Sequence, residues 1–570
     1  MNSGSPRLTI EALIKTSLSL PARDKRGKMQ KNPNWWRGAV IYQVYPRSYY
    51  DSNGDGIGDL PGVTAKLDYI ASLNVDAIWL SPFFTSPMKD FGYDVSDYRG
   101  VDPIFGTLED FDTLLAEAHK RGLKIMIDQV LSHSSDQHHW FAESRLNRTN
   151  PKADWYVWAD PKADGSPPNN WLSVFGGSAW AWDSRRKQYY LHNFLASQPD
   201  LNFHNPEVVE QVLADVRYWL ERGVDGFRLD AINFCFHDQQ LRDNPAREEA
   251  KDGSMGVRKE NPYAYQSHVY DKTRPENLAF LKRFRALLEE FPGTTTVGEI
   301  GDDNSLQVMA DYTADGDKLH MAYSFDLLTE QHSAEFIRRT VEGIESKMSD
   351  GWPCWAIGNH DVERVASRWQ AQSDVHIKLY MTLLLTLRGS VCIYQGEELG
   401  LTEAELTFKD LVDPYGINFW PEFKGRDGCR TPMVWQPDLI NAGFSNNKPW
   451  LPVHHAHYSA AVHVQEATET SVLQAYREFM AWRSRQPALT VGDIEFHDSP
   501  ADTLLYSRTM GDQHLLIALN MSAKPVTIPV SQNVSTIADG PSVESGEWQE
   551  GQVRLPAHGV SIAAVRGTRA

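Results

Sequence analysis

Three short segments carry carboxylates in a pattern that suits acid–base work. In GFRLD (226–230) the period of two in an extended strand turns Arg228 and Asp230 to one side and Phe227 and Leu229 to the other. The guanidinium is expected to hold the Asp230 carboxylate ionised. Glu299 ends the β-rich run TTTVGE (294–299), and Asn359-His360-Asp361 closes the run that begins CWAIGN (354–359). A single carboxylate at a strand end is ordinarily an ion pair or a helix cap. Three of them converging on one rim serve either a metal or the cleavage of a glycosidic bond.

The elements that must position them read as alternating strands and helices. Candidate strands are AVIYQVY (39–45), VDAIWLS (75–81), LKIMIDQV (123–130), VDGFRLD (224–230), TTTVGE (294–299), HMAYSF (320–325), CWAIGN (354–359) and VCIYQG (391–396). Amphipathic stretches lie between them. LEDFDTLLAEAHKRG (108–122) stops at Gly122, and NPEVVEQVLADVRYWLERG (205–223) starts on an Asn205 cap with Pro206 in its first turn and ends at Gly223. Eight such units predict an α/β fold, a (β/α)8 TIM barrel over 33–132 and 200–488, with active-site groups at the carboxyl ends of the strands. Residues 133–199, rich in Trp, Asn, Pro and Gly, are too many for one connection and are expected to form an inserted subdomain after the third strand. From 489 to 570 the helical period gives way to alternation, as in TLLYSRTM (503–510) and HLLIALNM (514–521), which predicts a C-terminal antiparallel β domain. Residues 1–32 read as an N-terminal tail.

Composition removes several classes of function. The chain has 570 residues, 41% hydrophobic and 23% charged, as in a soluble globular protein. Its formal net charge of -19 repels phosphate backbones and argues against nucleic acid as a partner. No apolar run is long enough to span a bilayer. The early patch IEALIKTSLSL is broken by Glu11 and Lys15 and lacks a small-residue cleavage site, so it is not read as a signal peptide. Cys235, Cys354, Cys392 and Cys429 are scattered and form no CxxC pair, which points to a reducing, cytoplasmic setting without structural zinc. The 18 Trp, 22 Tyr and 23 Phe supply flat faces suited to sugar rings as well as core packing.

The segments DQVLSH (128–133), QPDLNF (198–203), GFRLDAIN (226–233), GEI (298–300) and NHD (359–361) resemble the α-amylase superfamily of glycoside hydrolases, and within it the oligo-1,6-glucosidase and α-glucosidase branch. The resemblance runs from Trp35 onward. It implies that Asp230 is the nucleophile, Glu299 the general acid/base and Asp361 the carboxylate that stabilises an oxocarbenium-like ring. A retaining glycosidase needs an ionised nucleophile, here beside Arg228, and an acid protonated near neutral pH, here through the proximity of two other anions. His133 and His360 match the paired histidines that bond sugar hydroxyls. In KDFGYDVSDY (89–98), Asp90 and Tyr93 match positions that bind the terminal glucose and stack beneath it. In GRDGCRTPMVW (425–435), Arg430 is taken as the partner of Asp90, in preference to Arg426. Such a clamp makes a pocket and implies exo action.

The loop DSNGDGIGD (51–59) follows calcium-loop spacing through Asp51, Asn53, Asp55, the Ile57 carbonyl and Asp59, with Gly56 sixth, but position twelve is Gly62 and not Glu. It resembles the branch's structural divalent-ion loop, so Ca2+ or Mg2+ is expected there and no organic cofactor. HHAH (454–457) is expected at the surface. The activity expected is a retaining exo-acting α-glucosidase for short oligosaccharides or disaccharides, with transglucosylation, working as a monomer or homodimer. Ala231, following the nucleophile, points to α-1,4 linkages, because Val is frequent there in α-1,6 enzymes of the branch. The segment 237–277 is too long for a connection and is expected to cover the pocket mouth. The alternative is a sucrose isomerase or a trehalose-forming relative. Isomaltulose-forming relatives carry RLDRD soon after Phe-Asp-Leu, whereas Phe325-Asp326-Leu327 is followed by LTEQH. The non-catalytic heavy chains of amino-acid transporters share the fold but bring a membrane anchor and commonly lack the triad.

Overall fold

Eight parallel strands, β1 (Val40–Val44), β2 (Ala77–Leu80), β3 (Lys124–Val130), β4 (Gly226–Asp230), β5 (Thr295–Ile300), β6 (Met321–Ser324), β7 (Cys354–Trp355) and β8 (Ser390–Tyr394), pair in the order β6-β5-β4-β3-β2-β1-β8-β7. A bridge between Ala322 and Pro353 joins β6 to β7 and closes the ring, so the expected barrel forms. The computed structural model describes residues 32–250, 256–348, 350–537, 539–543 and 545–566. The expected N-terminal tail, apart from Asn32, lies outside them. Among the described residues no helix is long and apolar enough to cross a membrane.

Strand alternation sorts the core into two layers. Phe227, Leu229, Ile125, Ile127, Ile78 and Leu80 face the surrounding helices, while Ile41, Trp79, Met126, Val297, Met321 and Tyr323 fill the barrel interior. Local signals bound the helices as read. Leu108–Lys120 begins in a capping box between Thr107 and Asp110, and Pro206–Arg222 is capped by Asn205 and stopped by Gly223 at φ 104°.

Between β3 and β4 the chain leaves the barrel and forms a small antiparallel sheet of Trp158–Ala159, Trp180–Asp183 and Gln188–Leu191. The last part of the chain is antiparallel β. A five-stranded sheet contains Thr503–Met510, Gln513–Asn520 and Val560–Val565, and a three-stranded sheet contains Val526–Pro529, Glu547–Gln549 and Gln552–Leu555.

Two expectations of local structure need correction. The seventh strand is confined to Cys354-Trp355, because the residues after it turn to bring Asn359 to Asp361 into the mouth. HHAH is not wholly a surface tract: His457 is buried and bonds the Thr402 carbonyl at 2.9 Å, while His455 is exposed.

Candidate active site

Strand register builds the centre of the site. Asp128 on β3 lies opposite Arg228 on β4, and Glu299 on β5 lies opposite Tyr323 on β6, so four polar side chains enter the barrel mouth at two adjacent levels. Arg228 is fully buried and its guanidinium is the hub. Nη1 donates to Asp128 at 2.9 Å and to Asp230 at 2.5 Å, and Nη2 donates to Glu299 and, at 2.9 Å, to the Tyr323 hydroxyl. Tyr323 in turn donates to Glu299 Oε1 at 2.8 Å, and the Ala231 amide donates to Oε2 at 3.1 Å. Trp79 stacks 4.9 Å from the guanidinium and donates to Asp128 at 3.1 Å.

Burial governs the proton affinities. It pushes Glu299 up to about 7, against the pull of Arg228 and with help from the anions Asp230 and Asp361. The two anions alone were the expected cause; loss of water ranks ahead of them. Asp230 differs more from expectation. Burial, with Asp128 and Asp361, outweighs Arg228 and raises it to about 7, because one guanidinium edge is shared between Asp230 and Asp128. Asp128 rises to about 6 for the same reason. These carboxyls titrate as a set around Arg228. Asp361 goes the other way. Burial would raise it, but Arg426 Nη1 at 3.2 Å and Arg430 Nη2 at 2.8 Å hold its carboxyl below the usual range. His360, whose own proton affinity is lowered by burial, lies 3.2 Å away and is the strongest of the neighbours that favour the Asp361 carboxylate, ahead of the two arginines.

The clamp is assigned to the other arginine. Arg426 Nη2 pairs with Asp90 at 2.7 Å and with Asp413 at 2.8 Å, whereas Arg430 donates to the His360 carbonyl at 2.7 Å and to Asp361. Spacing could not separate the two, because Asp427–Arg430 is a single 3-10 turn whose start turns Arg426 toward Asp90. Gln198 completes the clamp by donating to Asp90 at 3.0 Å, and lies 3.3 Å from His133.

One pocket is lined by Asp90, Tyr93, His133, Gln198, Asp230, Ala231, Glu299, Asp361 and Arg426, with Phe175, Phe194, Phe325 and Tyr415 as apolar walls. Three expected substrate-site residues, Asp90, Tyr93 and His133, therefore meet the three carboxylates, together with Arg426, which stands where Arg430 was expected. Arg228, His360 and Arg430 do not line it. His360 is stacked between Tyr93 and Tyr45, with Nδ1 2.7 Å from Gln43 and Nε2 2.5 Å from the Tyr93 hydroxyl, so these three residues orient the groups that do. His133 is lowered to about 4 by burial and is neutral, with Nε2 3.0 Å from the Tyr93 carbonyl.

Ala231 bends out of strand geometry at φ 39°, which turns it into the pocket instead of away from it. Gly256, from the long 237–277 segment, borders this pocket and a wider charged vestibule lined by Arg258, Glu330, Glu363, Glu403 and Phe423. Both spaces share Asp361 as well.

Loop 51–59 offers only oxygen donors, which suits a hard divalent ion. Asp51 Oδ1 accepts from the Gly54 amide at 2.6 Å and Oδ2 from the Gly56 amide at 2.8 Å, Asn53 and Asp55 accept from the next-but-one amides, and Asp59 caps the following helix through the Gly62 amide at 2.6 Å. Among the described residues no group of three or more His, Cys, Asp or Glu is gathered as a metal site.

Comparison with known proteins agrees with this geometry. Residues 43–492 match the family described as alpha amylase, catalytic domain. The chain is 57% identical over 544 residues to a probable alpha-glucosidase of Rhizobium meliloti (strain 1021), covering 94% of this chain and 98% of that protein. The crystal structure of an alpha-glucosyl transfer enzyme, XgtA, is similar with a TM-score of 0.91 at 58% identity, over 93% of this chain and 99% of that one. The trehalulose synthase MutB from Pseudomonas mesoacidophila MX-45 is similar with a TM-score of 0.82 at 33% identity, over 93% and 99% of the two chains.

Proposed function

The chain belongs to the alpha-amylase family of glycoside hydrolases, and from that premise we propose that it is a retaining, exo-acting α-glucosidase. It removes glucose from the non-reducing end of short α-glucosides, α-1,4-linked by preference, and passes part of it to sugar acceptors. The observation that carries the reading is the joining of two devices in one pocket: Asp230 and Glu299 on a single guanidinium fork, and the Asp90–Arg426 pair beside them.

A shared fork supports the short carboxyl spacing of a retaining pair, about 5–5.5 Å, over the about 6.5–9.5 Å that an inverting pair needs for its water. Asp230 attacks the anomeric carbon as Glu299 gives its proton to the departing glycosidic oxygen, and a glucosyl ester forms on Asp230. Asp361, held ionised by Arg426 and Arg430, balances the positive ring. Glu299, now deprotonated, takes a proton from water or from an acceptor hydroxyl as that oxygen attacks the anomeric carbon and the Asp230 carboxylate leaves. The Asp90–Arg426–Gln198 group grips the terminal hydroxyls and blocks longer chain on that side. The vestibule past Gly256 supports a place for the leaving sugar and the acceptor, and likeness to an alpha-glucosyl transfer enzyme supports transfer.

Asp51, Asn53, Asp55, the Ile57 carbonyl and Asp59 would hold a divalent ion, Ca2+ or Mg2+, which when bound would tie the loop after β1. Four buried cysteines, all free, support a cytoplasmic setting, and the enzyme works on small saccharides as a monomer or homodimer.

The test is incubation with maltose, isomaltose, sucrose and soluble starch, with products separated by chromatography and the first anomer read by NMR. Maltose should be consumed fastest and release α-glucose. Equal rates on starch and maltose, or initial β-glucose, would overturn the reading.

A further inference from the structure

Asn261, 2% exposed, lies in the long 237–277 segment just before the 3-10 turn Pro262–Tyr265. Its Oδ1 accepts from the Tyr263 amide at 3.0 Å and so caps that turn. A cap asks no more than this, and Ser or Asp would serve as well. The amide nitrogen goes further. Nδ2 donates to the Val174 carbonyl at 2.8 Å and to the Tyr415 hydroxyl at 3.1 Å, so both of its protons are used, on two other parts of the chain.

Val174 belongs to the inserted subdomain and Tyr415 to the helix Pro414–Phe419, which follows the last barrel strand, and both line the pocket. The 237–277 segment is bound to the subdomain at other points too. Asn170 Nδ2 donates to the Asn244 carbonyl at 2.9 Å, the Asn244 amide donates back to Asn170 Oδ1 at 2.8 Å, and Trp171 Nε1 donates to the Arg242 carbonyl at 2.8 Å. From that anchored base Asn261 reaches across to Tyr415.

The clamp lies between the two parts that Asn261 ties together. Arg426 Cζ is 4.8 Å from the ring of Phe175, the residue after Val174, and that ring is 5.0 Å from Tyr415. Arg426 is also bound to Asp413, whose Oδ1 accepts from the Tyr415 amide at 3.2 Å where the helix starts. The guanidinium that grips Asp90 is therefore set between the Val174–Phe175 side and the Asp413–Tyr415 side, while Asn261 does not itself line the pocket. Resting on the glucosidase reading for what the pocket holds, we propose that Asn261 is a positioning residue for the Asp90–Arg426 clamp. It fixes the width of the pocket at the end that takes the terminal glucose, and so sets how tightly that sugar is held without touching it. A grip exerted alike on the bound sugar and on the transition state lowers KM and leaves kcat nearly alone.

Asn261→Ser keeps an oxygen for the Tyr263 amide and is too short to reach Val174 or Tyr415. On maltose its KM should rise several-fold, with the inhibition constant of glucose rising in parallel, while kcat changes little. Tyr415→Phe gives up one of the two bonds, so the double variant should fall short of the two single effects combined. Amide hydrogen exchange without sugar should be faster in Asn261→Ser than in the parent over 172–176 and 414–419, a result that does not depend on the substrate. If the parent fails on maltose, the glucosidase reading fails and exchange decides whether Asn261 sets the pocket. If Asn261→Ser does not fold, Asn261→Asp, which keeps the volume and the cap but loses both N–H donors, takes its place. Unchanged KM and exchange, whatever the Tm, would show a cap and nothing more, and full additivity with Tyr415→Phe would show that the two residues do not act together; either would overturn the proposal.

Discussion

At the scale of single residues, the pocket works by setting proton affinities against one another. Glu299, raised to about 7 chiefly by burial, must be protonated to act as acid, so kcat/KM should fall as pH rises through that value. Tyr323 donates to its Oε1 at 2.8 Å and thereby favours the ionised form. Tyr323→Phe removes that donor. With a hydrogen bond to a charged group contributing about 1.5 kcal/mol, the alkaline limb should move up by about one pH unit. A pH profile on maltose reads the shift, and an unmoved limb would mean that another group sets it. Ala231 gives the second test. Its φ of 39° suits few side chains and a β-branched one least, so Ala231→Val should lower the Tm as well as narrow the pocket beside the scissile bond. The isomaltose-to-maltose ratio of kcat/KM should rise on the order of tenfold, about 1.4 kcal/mol of differential transition-state binding. Ala231→Gly, which relieves φ without adding bulk, should leave the ratio alone. If Val leaves it unchanged too, linkage choice lies elsewhere, first in the 237–277 segment.

At the scale of elements, strand parity made much of the site legible and loops hid the rest. Arg228 and Asp230 share a face because GFRLD is a strand, and period two is enough to see it. Tyr323 and Asp128 obey the same parity but went unassigned, because an inward aromatic in a barrel reads as core and a fourth carboxylate reads as spare. Their roles depend on cross-strand register, which one sequence does not display. The exchange of Arg426 for Arg430 has a similar origin: a 3-10 turn has no face pattern that assigns one arginine to Asp90. Loop 51–59 belongs to the same scale. Gly56, at φ 92°, packs where any Cβ would strike the Lys448 carbonyl, so the loop is tied to a distant segment, and an ion bound there would brace both. The loop supplies none of the three carboxylates, so EDTA should lower the Tm and leave initial rates nearly unchanged. An immediate, metal-reversible loss of kcat without a thermal shift would contradict that.

At the scale of the whole molecule, one guanidinium joins the C-terminal sheet to the barrel. Arg508, in the strand Thr503–Met510, is fully buried and donates to the carbonyls of Thr386 at 2.6 Å, Leu387 at 2.8 Å, Gly492 at 2.9 Å and Asp493 at 3.2 Å. The first two carbonyls lie at the C-terminus of the barrel helix Asp374–Thr386, where the last carbonyls lack helical partners and a cation is favoured by the helix dipole. Alternation predicted the sheet itself, since hydrophobic period reports pairing. It could not predict this attachment, because a lone Arg in a strand reads as a solvated edge. Arg508→Met keeps roughly the volume and removes every donor, leaving the buried carbonyls of Thr386, Leu387 and Gly492 without it. The cost should be on the order of 3–5 kcal/mol, the usual scale for breaking a buried charged contact. Because none of these atoms touches the pocket, kcat/KM on maltose at 25 °C should stay within about twofold of the parent. Calorimetry should show a lower Tm and a separate early transition as the C-terminal sheet parts from the barrel. A single transition at the parental Tm would show instead that apolar packing, such as Leu504 and Tyr506 in the main core, holds the two together without Arg508.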